Sequence, residues 1–162
     1  MNSELQAMLG ESKEELEDIA MRIRETSPFD KGRKYLTNYA LIRASGTAEY
    51  VYRAIIADYF AALGNAKIDK YLDKAIRQGS MSATYENMSN LLGKFDEKWK
   101  SEFSQSVNRN EHGEQIKASA KSLVQNRHAF AHGRPITASF SDIKSYYQDM
   151  ILLIEIFNSV VK

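Results

Sequence analysis

Apolar positions recur at helical spacing along almost the whole chain. Leu5, Leu9, Leu16, Ile19, Ala20 and Ile23 form one stripe, and Glu11, Lys13, Glu14, Glu17 and Asp18 fill the other faces. Spacings of three, four and seven residues place such positions on one side of an α-helix. Pro28 marks its end or the loop that follows. Residues 31–63 read as a long second helix, in which Leu36, Ala40, Ala44, Thr47, Val51, Ala54 and Ile55 share a face. Gly46 reads as a bend or a close helix contact, and Gly64-Asn65 as a stop signal. Residues 66–77 predict a shorter helix ended by Gln78-Gly79-Ser80. Residues 83–92 and 96–107 predict two more, split near Gly93, before a polar turn over 108–113. Residues 114–132 are helical again, and Gly133-Arg134-Pro135 ends that helix. Ser141 is the expected N-cap of a last helix over 142–161.

No strand alternation and no repeat interrupt this pattern. The expected fold class is therefore all-α, a bundle of five to seven helices forming one domain over residues 1–162. The last helix is apolar on most sides, with Ile143, Tyr146, Tyr147, Met150, Ile151, Leu153, Ile154, Ile156, Phe157 and Val160. That predicts burial on several faces, against its own domain and against a second subunit.

Composition narrows the chemistry. A chain of 162 residues, 43% apolar and 27% charged, can build a sizeable core. It has no cysteine, which removes disulfides, thiol nucleophiles and cysteine-based metal sites. The longest aliphatic run, 150–154, is far too short to span a bilayer. Residues 1–30 hold eight acids and three bases, a net −5, unlike a basic signal or transit peptide. A cytoplasmic protein without a membrane partner is expected. Residues 31–162 hold nineteen bases and thirteen acids, a net +6, which weakly favours an anionic partner for the later part of the chain. A dedicated duplex-DNA binder is usually more basic.

Phosphate-loop, dinucleotide, zinc-protease and nucleophile-elbow motifs are all missing. Two of the three histidines lie in one segment, Arg127-His128-Ala129-Phe130-Ala131-His132-Gly133-Arg134-Pro135. Ile116, Ala120, Leu123 and Phe130 set an apolar stripe, and Arg127 falls on its path. A charge there must be paired or must border a wet cleft. As a structural arginine it would pair with an acid of the second helix, Glu49 or Asp58. As a functional one it suits a phosphodiester, because a guanidinium grips phosphate oxygens in a fork and a histidine moves protons near neutral pH. His128 and His132 have the i, i+4 spacing of a metal pair, but no cysteine or nearby acid completes a shell, so no metal is expected. His112, in the polar turn, is expected to be solvent-exposed.

The segment Arg127-His128-x-x-x-His132 resembles the R-polar-x-x-x-H motif of the HEPN superfamily. These are small all-α domains that include toxins and defence or RNA-processing nucleases. Gly133 matches an "AHG" ending frequent in bacterial members, and residues 42–50 resemble a second-helix region carrying an arginine and a glutamate. The resemblance implies a HEPN-like fold and an RNA partner. It also implies metal- and cofactor-independent endoribonuclease activity in a toxin–antitoxin, phage-defence or RNA-processing setting. Arg127 and His132 become the active pair, at a homodimer interface built from the last two helices. His128 takes the polar position, where asparagine or aspartate is more usual. Glu49 becomes the partner that orients Arg127 or His132. An antitoxin or other protein partner is a further expectation. The alternative is a non-catalytic dimerisation or adaptor module, or a domain that binds RNA or nucleotide without cutting it.

Overall fold

Asn2 starts the first helix, α1 (Ser3–Glu25), by accepting a hydrogen bond from the Leu5 backbone. The computed structural model describes residues 1–162, and its elements are helical throughout, with no strand. The α1 stripe of Leu5, Leu9, Leu16, Ile19 and Ile23 is buried. Its acidic side is tied down twice. Arg43 forks onto Glu15 with Nε–Oε2 2.8 Å and Nη2–Oε1 3.1 Å, and Lys144 reaches Glu17 at 2.7 Å.

The second helix, α2 (Gly32–Ala61), is the central one. Ala40, Ala44, Ala48, Ala54 and Ala57 are buried alongside Leu41, Val51, Tyr52, Ile55 and Ile56. Small residues at these positions let α1 and the two last helices approach closely. Gly46 is neither a bend nor a contact point: it is exposed, a Cβ there would meet nothing, and the helix runs through it. Gly64, at φ +78°, provides the left-handed turn that ends the segment, and Asn65 caps the next helix.

That next stretch differs from the sequence expectation. Residues 66–77 divide into α3 (Ala66–Leu72) and a π-helical turn, Asp73–Arg77, closed by a bond from Gln78 N to Asp73 O of 2.9 Å. The widened turn lets Arg77 contact both Asp58 (2.6 Å) and Asp73 (3.0 Å). Then follow α4 (Tyr85–Gly93), α5 (Glu97–Arg109), α6 (Gly113–Ala131) and α7 (Phe140–Val160). The N-cap of α7 is Ser139, two residues before the expected Ser141.

The apolar excess of α7 is absorbed by its own chain. The helix packs on α6, α2, α5 and α1, and its large apolar side chains are all buried or half-buried. Asp142, Ser145, Gln148, Glu155 and Ser159 form its one solvated stripe. The argument for a second subunit from α7's apolar faces is thereby removed. Exposed large apolar side chains lie elsewhere, notably Tyr35, Tyr39 and Ile42 on α2 and Phe130 on α6. One core of 32 buried residues links the helices, and no helix is long and apolar enough to cross a membrane.

Candidate active site

The end of α6 is built to present the motif. Asn126, buried just before Arg127, accepts through Oδ1 from the backbones of Thr137 (2.9 Å) and Ala138 (3.0 Å), and donates to Ser122 O (2.9 Å). It thus staples the returning loop to the helix. The helix closes in a Schellman turn: Gly133 N bonds Phe130 O at 3.0 Å and Arg134 N bonds Ala129 O at 2.8 Å. Gly133 takes the left-handed conformation this requires, at φ +69°.

Arg127 turns inward to α2. Its Nη2 lies 2.8 Å from Glu49 Oε1, with the side chains 25% and 15% exposed. The contact is an ion pair without hydrogen-bond alignment, since both Glu49 Oε1 and Arg127 Nε lack a directional partner. Asp58, the other expected candidate, is engaged by Arg77 and Asn2 instead. The same Arg127 Nη2 is 3.3 Å from Ser82 Oγ and 3.2 Å from His128 Nε2, and Ser82 Oγ is 3.1 Å from His128 Nε2. Arginine has no acceptor. Where Arg127 bonds His128, the imidazole Nε2 is therefore the acceptor.

Ser82 sits in the loop before α4 and was not identified from the sequence. Its loop is clamped by Tyr52, whose hydroxyl donates to Met81 O (2.9 Å), and by Asn87 Nδ2, which donates to Ser82 O (3.0 Å). Burial pushes the Tyr52 phenol well above its usual range, which keeps it a donor at any ordinary pH. Neither clamp residue belongs to the apolar pattern read from the sequence, and a serine in a loop has no pattern that marks it.

His132 is placed apart. It is the C-cap of α6, exposed, and its side chain makes no hydrogen bond within the chain. Five residues along an α-helix rotate it by about 140° from Arg127. The structure thus brings Arg127, His128 and Glu49 together, adds Ser82, and leaves His132 facing solvent. His112 is the exposed N-cap of α6, beside Glu111. No three histidine, aspartate or glutamate side chains cluster as metal ligands.

Comparison with curated proteins and with solved structures gave no match. The family model RiboL-PSP-HEPN, by contrast, matches residues 8–162, nearly the whole chain. The chain belongs to the RiboL-PSP-HEPN family, an affiliation that points to nuclease- or RNA-related function.

Proposed function

We propose that the protein is an endoribonuclease that cuts RNA by attack of a ribose 2′-hydroxyl on the adjacent phosphorus. The observation that carries this reading is a guanidinium held beside an imidazole and a hydroxyl at the surface end of a helix, in a chain of this family. Arg127 keeps enough exposure for its fork to reach a phosphate, and Glu49 fixes its direction. His132 takes the 2′-OH proton, O2′ bonds to phosphorus, and the P–O5′ bond breaks. Substrate phosphate replaces His128 as partner of Arg127 Nη2, and the freed imidazole, once protonated, gives its proton to O5′. Arg127 stabilises the pentacoordinate phosphate. The products are a 2′,3′-cyclic phosphate and a 5′-hydroxyl. Because His132 points away from Arg127 within one chain, the reading includes a homodimer in which the motif ends of two α6 helices meet. Toxin–antitoxin, phage-defence and RNA-processing systems are the settings this chemistry fits, with an antitoxin as a further partner.

The test is incubation of the purified protein with a mixed RNA pool in chelator, followed by analysis of the ends. We expect cyclic phosphates, no cutting of DNA, and loss of about 100- to 10,000-fold for His132→Ala, the usual range for general acid–base catalysis. Arg127→Ala should lose a similar amount. A requirement for added divalent cation would overturn the mechanism. RNA binding without cutting would establish the binding-module reading, which the pairing of Arg127 with Glu49 as a structural arginine also fits.

A further inference from the structure

Beside the motif lies an open cleft of about 820 Å³, between the start of α2 and the loop that leaves α6. That volume is in the range of pockets that hold small organic ligands, roughly 300–1,000 Å³. Arg33, Lys34 and Arg134 line it, and no aspartate or glutamate does. Arg33 and Lys34 also stand in the first turn of α2, which contains no acid. That helix end is itself capped by Asp30, whose Oδ1 accepts from Gly32 N at 2.6 Å, so the charge offered to an anion in the cleft is that of the side chains. Tyr35, 68% exposed, and Phe130, 39% exposed, line the same cleft. Large aromatic faces left in water beside clustered cations are the two elements that single-stranded nucleic acid uses: stacking for the bases and charge for the phosphates. On the cleft wall Asn38 Oδ1 has no hydrogen-bond partner in the chain.

We infer that this cleft is a subsite for unpaired nucleotides of the RNA flanking the cut, and that the substrate is single-stranded at that point. The inference rests on the ribonuclease reading for its choice of RNA. Phe130 and Gly133, which line the cleft, flank His132 in sequence, so the cleft lies at the same end of α6 as the motif. Bases in a duplex are stacked on one another and cannot take up Tyr35 or Phe130.

The experiment measures binding apart from cleavage. A fluorescent 2′-O-methyl oligoribonucleotide, which has no free 2′-OH, is titrated with the full chain by anisotropy, as a single strand and as a duplex. The single strand should bind more tightly. Tyr35→Ala and Phe130→Ala should each weaken it roughly 5- to 150-fold, the usual range for loss of one base–aromatic stack. Tyr35→Phe, which keeps the ring, should bind like the wild type. Arg134→Gln should flatten the slope of log affinity against log salt by about 0.7, the loss of one phosphate contact on a single strand. No binding by the wild type, equal binding of the duplex, or insensitivity to all of these substitutions would overturn the subsite. So would a dimer that the cleft substitutions dissolve while RNA affinity stays unchanged; a second copy would then fill the cleft. Loss of binding in the cleft variants together with absence of cutting by the wild type would instead retain the subsite and sink the ribonuclease assignment.

Discussion

A guanidinium on the core side of a helix has to be neutralised or wetted, and Arg127 meets both conditions through Glu49 and its partial exposure. This requirement made the pairing legible: an arginine on the path of Ile116, Ala120 and Leu123 needed an acid from the neighbouring helix. Which acid was not legible, because Glu49 and Asp58 lie on one helix and Arg77 was not expected to reach back to Asp58. Structural and chemical roles of Arg127 can be separated. Arg127→Met alone leaves the Glu49 carboxylate unpaired and should destabilise the fold by roughly 1–3 kcal/mol. Adding Glu49→Gln should restore most of that in urea unfolding, while RNA cleavage stays absent in both variants. A double variant as unstable as the single one would show that Arg127 supports the fold by packing its stem, not by charge. His128 is tested by its leaving group. His128→Ala should be severely impaired on RNA yet near wild type on a uridine 3′-aryl phosphate, whose leaving group needs no proton. Equal impairment on both substrates would remove His128 as the acid.

At the scale of elements, long periodic helices were readable and their junctions less so. The start of α7 lies two residues before the one expected from Ser141, and Phe140 opens the helix and packs against the core. The decisive pattern is Ser139 with Asp142 three residues on, a reciprocal capping box. The π-turn over Asp73–Arg77 leaves no trace in spacing, and the contact it accompanies, Arg77 to Asp58, lies between residues nineteen apart. Hydrogen bonds from the Ser139 side chain and then its backbone hold the Asp142 carboxyl below the usual range, as Arg43 does for Glu15. Folded values below the unfolded ones, about 3.9 for Asp and 4.3 for Glu, mean stabilisation that is complete above those values. It is lost as pH falls through the lowered folded values. Melting temperature should therefore be nearly flat from about pH 5 to 7 and drop below about pH 4. Ser139→Ala should cost about 0.5–2 kcal/mol near neutrality and make the acid limb shallower, because the donors to Asp142 are reduced. An acid limb identical to wild type would assign the sensitivity to other carboxylates.

For the whole molecule, the all-α bundle followed from unbroken periodicity, because α2 and α7 bury most of their surface and their neighbours bury one stripe each. What periodicity could not say is who covers α7. Its own chain does, and that shifts the question of assembly to the motif end of α6. There Arg127 faces Glu49 and Ser82, while His132 projects to solvent about 140° around the helix. The proposed reaction, which needs both groups at one phosphate, would then draw Arg127 and His128 from one protomer and His132 from the other. In a two-fold dimer this produces two equivalent composite sites. The consequence is measurable by mixing two inactive proteins, Arg127→Ala and His132→Ala, after unfolding and refolding together. Half of the dimers formed at random are mixed, and each mixed dimer has one intact site of two, so about a quarter of wild-type activity should return. Each variant refolded alone stays inactive. If both catalytic groups instead act within one protomer, no mixed dimer contains an intact site and nothing is recovered. A chain that remains monomeric by light scattering under the assay conditions, yet cuts RNA when wild type, would likewise reject the composite site and require His132 to swing round to Arg127 in its own chain.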